Sequence, residues 1–147
     1  MKVATELFLI DSTILVYAYD PTDKHKYAIA KALLEKCWQK EKTYAISAQN
    51  LGEFFIVITK KVPYPLPIIE AQQIIADICA FSGWQVLHYD AHTLQNAIDL
   101  YKHHQKHFWD ALIVATMRQE GITHIYTENE SDFKVFQNIT VINPFRT

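Results

Sequence analysis

Short apolar runs alternate with longer segments of helical periodicity along this chain. The short runs are bounded by charges or turn residues, which is typical of buried strands in a parallel sheet. They cover residues 7–10, 43–46, 84–89, 124–127 and 139–145. The helical segments cover 12–19, 24–42, the residues after Ser47, 67–82, 91–105 and 110–120. Strands that alternate with helices predict an α/β fold, here a three-layer α/β/α sandwich around a parallel sheet.

Turn residues separate these elements. Three prolines within 63–67 (PYPLP) exclude a continuous helix there. Gly83 and Gly121 each follow a helical segment, and glycine is a common C-terminal helix signal. The sequence contains no internal repeat, low-complexity tract or linker. We therefore expect one domain over residues 1–147, which is long enough for a hydrophobic core.

The composition is that of a globular protein and argues against several classes. Hydrophobic residues make up 50% of the chain and charged residues 20%. No apolar stretch approaches the roughly 20 residues of a membrane-spanning helix. Charges interrupt the N-terminal apolar patch, so no signal peptide is predicted. Cys37 and Cys79 lack CxxC spacing and fit small buried residues in a reducing cytoplasm.

The charge and the glycines narrow the function classes further. A formal net charge of −2 does not favour a dedicated nucleic-acid binder, which usually has a strong basic excess. An acidic pocket that binds a metal ion is compatible with this balance. The lysines between 24 and 42 are better explained by a solvated helix face than by a phosphate track. The three glycines form neither a P-loop nor a dinucleotide motif, and no GxSxG is present.

Acidic residues stand where apolar segments would otherwise continue. Asp11 ends the first strand, Glu53 interrupts an apolar helical run, and Asp110 opens an apolar helix. A further acidic segment, TENESDF at 127–133, follows the fourth strand. Taken singly, Asp11 could be a helix cap, Glu53 a solvated side chain, and Asp110 a charge that favours the helix dipole. Because ligands bind beyond the carboxyl ends of parallel strands, we expect the acids to meet there and hold Mg²⁺ or Mn²⁺.

Five segments in this order resemble the PIN-domain family. They are FLIDSTILVYAYD, SAQNLGEFFIVITKK, FWDALIVATM, IYTENESDF and VINPF. The resemblance extends over essentially the whole chain, and it is strongest to compact prokaryotic members that include the toxins of VapBC-type toxin–antitoxin pairs. It implies a magnesium- or manganese-dependent ribonuclease that acts on RNA in the cytoplasm. It also implies a homodimer, and a toxin role would add an antitoxin protein that covers the acidic edge.

The resemblance assigns roles to individual residues. Asp11, Glu53 and Asp110 would be the metal-holding carboxylates. Ser12 and Thr127 would be small hydroxyl residues that orient these carboxylates or a bound water.

The fourth acid departs from the family pattern. Many relatives carry an aspartate where Asn129 stands, and an amide oxygen can coordinate or hydrogen-bond but brings no charge. We rank Asp132 ahead of Glu130 as the replacement and assign it to the metal and catalytic set. Lys60, two helical turns beyond Glu53, would help to hold the scissile phosphate.

Two hypotheses follow from these residues. The leading one is a metal-dependent endoribonuclease in which activated water attacks a phosphodiester bond in line. The second is a degenerate domain that binds RNA or a protein partner without cleavage, and Asn129 is the reason to consider it.

Histidines and aromatic residues carry weaker signals. His103, His107 and Asp110 have a spacing that could place three zinc ligands on one helix face, but they span a predicted helix boundary. A structural or solvated role is therefore favoured for the histidines. Several aromatic residues could stack on nucleobases, although their helical spacing favours core positions. They are Tyr17, Tyr19, Phe54, Phe55 and Trp109.

Overall fold

The computed structural model describes residues 6–146, so residues 1–5 and 147 of the predicted domain lie outside the described range. Strands and helices alternate along this range. The strands are β1 (Phe8–Ile10), β2 (Tyr44–Ser47), β3 (Trp84–Leu87), β4 (His124–Tyr126) and β5 (Thr140–Ile142). The helices are α1 (Ser12–Tyr19), α2 (Lys24–Trp38), α3 (Ala48–Lys60), α4 (Ile68–Ala80), α5 (Ala91–His104), α6 (Phe108–Gln119) and α7 (Glu130–Lys134).

The five strands form one parallel sheet in the order β3-β2-β1-β4-β5. β1 lies at its centre, where Leu9 is opposite both Ala45 of β2 and Ile125 of β4. Its two neighbours come from distant parts of the chain, as crossover connections require. This sheet and its flanking helices confirm the predicted α/β sandwich.

The core explains why the strands appear in the sequence as continuous apolar runs. Leu9 and Ile10 are both fully buried, although adjacent side chains of a strand point to opposite faces of the sheet. Ile10 packs in one cluster with Ile14 of α1 and Phe54 of α3, whereas Leu9 packs in another with Ile113 of α6. Both faces of the sheet are therefore covered, and no strand position near the centre can be polar without a specific reason.

The main differences from the predicted elements have local causes. α2 ends at Trp38 instead of residue 42, because Lys40 has a φ of 62° that a right-handed helix does not accommodate. β3 ends at Leu87, two residues earlier than predicted, and α6 begins at Phe108, two residues before Asp110. α7 was not predicted, because five residues are too few to show a helical period. Among the helices of residues 6–146, none combines the length and apolarity needed to cross a bilayer.

The carboxyl ends of the strands bring distant parts of the chain to one edge of the sheet. The backbone N–H of Asp11, just after β1, donates to the carbonyl of Tyr126 at the end of β4 (3.0 Å). The N–H of Thr127 donates in turn to the carbonyl of Ile142 in β5 (3.0 Å). Helix α3 begins directly after β2, so its first turns lie at the same edge. This edge is where the acidic residues are expected to meet.

Candidate metal and active site

Asp11 is deeply buried at this edge, with 3% of its surface exposed. Its Oδ2 accepts hydrogen bonds from the hydroxyls of Thr127 (2.7 Å) and Thr13 (3.2 Å). Its Oδ1 accepts from the side-chain amide of Asn50 (3.2 Å). The Asp11 side chain makes no capping bond to α1, so the simple helix-cap explanation does not hold. Burial raises the pKa of Asp11, and the hydrogen bond from Thr127 acts in the opposite direction.

Two threonines connect Asp11 to the loop that follows β4. The buried hydroxyl of Thr127 donates to Asp11 and accepts the backbone N–H of Asn129 (3.0 Å). The hydroxyl of Thr13 also donates to Asp11 and accepts the backbone N–H of Glu128 (3.2 Å). The side chain of Asn129 is exposed. The backbone of Asn129, and not its amide, therefore supports the site.

Asn50 is fully buried in the first turn of α3 and was not identified from the sequence. Its Oδ1 accepts from the hydroxyl of Ser47 (2.7 Å) and from the Ser47 backbone N–H (3.2 Å). Its Nδ2 faces two acids, at 3.2 Å from Asp11 Oδ1 and 3.5 Å from Glu53 Oε1. The amide group thus fixes the start of α3 and holds two carboxylates near each other.

Glu53 is half-buried, and its carboxylate points to the acidic edge. It is the sixth residue of α3 and lies in the second helical turn. Burial raises the pKa of Glu53, and the charges of Asp11 and Asp110 raise it further. Hydrogen bonds from Gln49 and Ser12 act in the opposite direction. Ser12 therefore lies near Glu53, and three carboxylates share one electrostatic environment.

Asp110, Asp132 and His107 form the outer part of the edge. Asp110 lies in the first turn of α6, and burial together with the charges of Asp132 and Asp11 raises its pKa to about 6. Asp132 approaches from α7, and its Oδ1 is 3.6 Å from Nε2 of His107. One ligand atom from each of the three side chains lies within 4.8 Å of the other two.

The remaining acids of the 127–133 segment are paired with cations. Glu128 forms an ion pair with Lys26 and accepts a hydrogen bond from the Tyr17 hydroxyl (2.9 Å). Glu130 pairs with Arg146 (2.8 Å) and Lys134 (3.4 Å). Asn143, Arg146 and Lys134 all lower the pKa of Glu130. Of this segment, only Asp132 is next to Asp110.

The donor set fits a hard divalent cation. Asp11, Glu53 and Asp110 each carry a raised pKa, because burial and mutual repulsion oppose their charges. Within residues 6–146, no lysine or arginine forms an ion pair with any of these three acids. Carboxylate oxygens are the preferred ligands of Mg²⁺ and Mn²⁺. A bound cation would neutralise the charges that the protein itself leaves unpaired.

Lys60 does not lie with the acids. It is exposed in the last turn of α3, seven residues after Glu53, which corresponds to roughly 10 Å along a helix axis. α3 begins at the acidic edge, so this distance leads away from it. His103 is also separate, because α5 ends at His104 and Gln105 then adopts a φ of 46°. The three-ligand helix face considered for zinc does not form.

Trp109 differs from the other aromatic candidates. Tyr17, Tyr19 and Phe55 are half-buried and Phe54 is buried, as the core interpretation predicts. Trp109 is 58% exposed, directly before Asp110. Its backbone carbonyl accepts a hydrogen bond from the Gln49 side chain (2.9 Å), which ties it to α3. A large aromatic surface is therefore exposed on the residue that precedes Asp110 in the first turn of α6.

The side chains that were not identified from the sequence have only weak signals in it. Asn50 forms a capping box with Ser47, and an S-x-x-N pattern indicates a cap but not a contact to Asp11. Thr13 follows Asp11 by two positions, which is common in any helix start. The sequence favours a structural or solvated role for His107, because its link to Asp132 appears only when α7 has folded. Only the tertiary structure brings these side chains to the acids.

Similarity in sequence to a known domain identifies the family of this chain. The profile of the PIN domain matches residues 8–138. No curated protein matches the chain in sequence. Three similar solved structures include two that contain a toxin–antitoxin pair.

The Mycobacterium tuberculosis toxin VapC20, which cleaves the sarcin–ricin loop, has a TM-score of 0.67 and 22% identity, covering 87% of this chain and 93% of its own. VapBC2 from Rickettsia felis, bound to a DNA fragment from its promoter, has a TM-score of 0.66 and 19% identity, covering 93% and 98%. A toxin–antitoxin complex from Klebsiella pneumoniae has a TM-score of 0.64 and 20% identity, covering 93% and 97%. At these identities the structures establish the fold alone. The profile match over most of the chain shows that the protein belongs to the PIN-domain family of nucleases.

Proposed function

We propose that this protein is a Mg²⁺- or Mn²⁺-dependent endoribonuclease and the toxin of a toxin–antitoxin pair. The observation that carries the proposal is the group of carboxylates at one edge of the sheet. Asp11, Glu53 and Asp110 influence one another's charge, and no lysine or arginine of residues 6–146 pairs with them. Family membership supports nuclease chemistry for such a site.

The side chains of the site would have distinct roles. Asp11, Glu53, Asp110 and Asp132 would hold the ion, which would activate water and stabilise negative charge on the phosphate. Thr127 and Asn50 orient Asp11 through hydrogen bonds of 2.7 and 3.2 Å. Ser12, which lies near Glu53, would orient that carboxylate or a bound water. Asn129, whose side chain is exposed, would contact substrate instead of the ion.

The exposed Trp109 favours single-stranded RNA as the substrate. Stacking of a base on an aromatic ring contributes about 1–3 kcal/mol and needs a base that is free of a duplex stack. Trp109 is the neighbour of Asp110, so a base stacked on it would place its phosphate near the acids. Lys60 lies away from this position and is not part of the proposed phosphate contact.

A toxin role also implies protein partners. The similar structures include a toxin–antitoxin complex from Klebsiella pneumoniae and VapBC2 from Rickettsia felis. An antitoxin for this chain would cover the acidic edge, and the nuclease would form a homodimer. Light scattering on the purified protein tests the dimer directly, and co-expression with a candidate antitoxin tests loss of cleavage.

A degenerate, non-cleaving domain is the second candidate. Asn129 favours it, because the amide removes one negative charge where many relatives carry an aspartate. The position of Asp132 argues against it, because this carboxylate stands next to Asp110 and raises its pKa. A fourth acid is therefore available at the edge from a different position of the same segment.

The deciding experiment is cleavage of a mixed single-stranded RNA pool by the purified protein. The arms are Mn²⁺, Mg²⁺, chelator, and Asp11→Asn with each ion. Cleavage that requires both the ion and Asp11 supports the nuclease. A folded protein that binds RNA but does not cut it under any ion supports the degenerate domain.

A further inference from the structure

We propose that His107 is a nitrogen ligand of the ion held by Asp110 and Asp132, and that it makes the site favour transition-metal ions over Mg²⁺. This inference rests on the proposed function, because it concerns the ion of the same site. It adds a ligand that differs in chemistry from the carboxylates. It also predicts that the site binds Mn²⁺ in preference to Mg²⁺.

The backbone directs His107 toward this position. The residue precedes α6 in an extended conformation (φ −129°, ψ 111°), and its side chain makes no capping hydrogen bond. It stands three residues before Asp110, so both side chains lie on one side of the first helical turn. The left-handed Gln105 separates it from the histidines at the end of α5. The imidazole is therefore placed by the turn and is not occupied by a helix cap.

The spacing of the three side chains is that of ligands and not of hydrogen-bonded partners. Nε2 of His107 and Oδ1 of Asp132 are 3.6 Å apart, which is too far for a hydrogen bond. Two ligands that each bind an ion at roughly 2.0–2.2 Å are separated by roughly 3–4 Å. The ligand atoms of His107, Asp110 and Asp132 all lie within 4.8 Å of one another. The three side chains are therefore close enough to share one cation.

Ligand chemistry links the imidazole to metal choice. Mg²⁺ takes oxygen ligands and retains several waters, so a histidine adds little to its binding. Imidazole suits later divalent ions, whose affinity for a mixed nitrogen and oxygen site rises from Mn²⁺ to Co²⁺ and beyond. A site with only carboxylates would show this preference more weakly. His107 thus shifts the selectivity without changing the four acids.

The test combines a spectroscopic and a thermodynamic measurement on the full chain. Pulsed electron paramagnetic resonance of bound Mn²⁺ detects a directly coordinated nitrogen, and calorimetry gives the affinities for Mn²⁺, Co²⁺ and Mg²⁺. The variant is His107→Gln, at a side chain that is 61% exposed, so the fold should persist. His103→Gln is the matched control, because His103 is also exposed but belongs to α5.

We expect a nitrogen coupling in the wild type and in His103→Gln that disappears in His107→Gln. Affinity for Co²⁺ should fall about tenfold in His107→Gln, the low end of losses seen when a metal-site partner is removed. Affinity for Mg²⁺ should stay within about twofold. A wild-type spectrum without nitrogen coupling, or equal Co²⁺ affinity in all three proteins, overturns the role of His107. Cleavage that still needs Asp11 would leave the proposed function standing in that case, whereas a wild type that binds no divalent ion would remove both.

Discussion

The acidic edge has an inner and an outer part that differ in how they are held. The inner part is Asp11, which is buried and accepts three side-chain hydrogen bonds from α1, α3 and the loop after β4. The outer part consists of Asp110, Asp132 and His107, and its two carboxylates are half-buried and carry no such network among residues 6–146. Thus the inner carboxylate has a fixed position before any ion arrives. The outer carboxylates repel each other, and their side chains can adjust to a bound ion.

The largest expected effect comes from removing the inner charge. Asp11→Asn should reduce metal-dependent cleavage by about 1,000-fold or more, because an ion contributes several kcal/mol at the transition state. Asp132→Asn should reduce cleavage less, by roughly 10- to 100-fold, since the outer part retains Asp110. Initial rates on labelled RNA measure both. Asp99→Asn, on the exposed surface of α5, is the control and should cleave as the wild type does. Equal losses for the two site variants would erase the distinction between the parts.

Removal of the hydroxyl that holds Asp11 should have the next largest effect. Thr127→Val keeps the shape of the side chain but deletes the 2.7 Å hydrogen bond to the carboxylate. A hydrogen bond to a charged group contributes about 1.5–3 kcal/mol, so cleavage should fall roughly 10- to 100-fold. Thr127→Ser retains the hydroxyl and should stay within a few-fold of the wild type. If Thr127→Val and Thr127→Ser cleave RNA at the same rate, then the hydrogen bond from Thr127 is not needed to position Asp11.

Trp109 should contribute to the binding of RNA at the outer part of the edge. Trp109→Ala should raise the Kd for single-stranded RNA about tenfold, as expected for the loss of one stacked base. Fluorescence anisotropy measures this in the Asp11→Asn background, where the RNA stays intact. Tyr64→Ala is the control, because Tyr64 is 80% exposed in the loop between α3 and α4. A Kd that does not change, or that changes equally in both variants, contradicts stacking at Trp109.

A smaller effect, of a few degrees in Tm, is expected from removing the unfavourable charge of Asp110 in the outer part. The pKa of Asp110 is raised from 3.8 to about 6, so the metal-free folded state binds more protons than the unfolded chain between these values. The stability of the metal-free protein should therefore fall as the pH rises from about 4 to 6. Asp110→Asn removes this loss, and its Tm in chelator should exceed that of the wild type at pH 7.5 but not at pH 4.

Added Mn²⁺ should reverse the order of these two proteins at pH 7.5. The ion stabilises the wild type by binding the folded state, and the variant lacks one of its ligands. Thermal scans with and without Mn²⁺ make the measurement. A variant that is less stable than the wild type in chelator at pH 7.5 would show that burial and the neighbouring charges do not make the Asp110 charge unfavourable.

The smallest effect is expected outside both parts of the edge. Lys60 is exposed at the far end of α3, seven residues after Glu53. Lys60→Ala should therefore cleave RNA within about twofold of the wild type, measured at subsaturating RNA. A loss of tenfold or more would mean that bound RNA extends along α3, and the substrate contacts would have to include that surface.

The sequence predicts the sheet well because its strands are buried on both faces. Leu9 and Ile10 face opposite sides, so both must be apolar, and the break at Asp11 stands out. The site is less accessible to such reasoning, because its connecting residues are ordinary in their local context. Asn50 looks like a helix cap, and its second role appears only when β1 and β2 pair. His107 and α7 illustrate the same limit, since a five-residue helix has no period to detect.

The hydrogen bond between Thr127 and Asp11 joins positions that are 116 residues apart in the chain. It forms only after β4 has paired with β1, which requires synthesis of the chain through at least Thr127. A nascent chain that ends before β4 already contains Asp11, Glu53 and Asp110, but it lacks Asp132 and the Thr127 hydroxyl that orients Asp11. The proposed cleavage activity is therefore coupled to completion of the central sheet. A protein that cuts RNA would in this way remain inactive during its own translation.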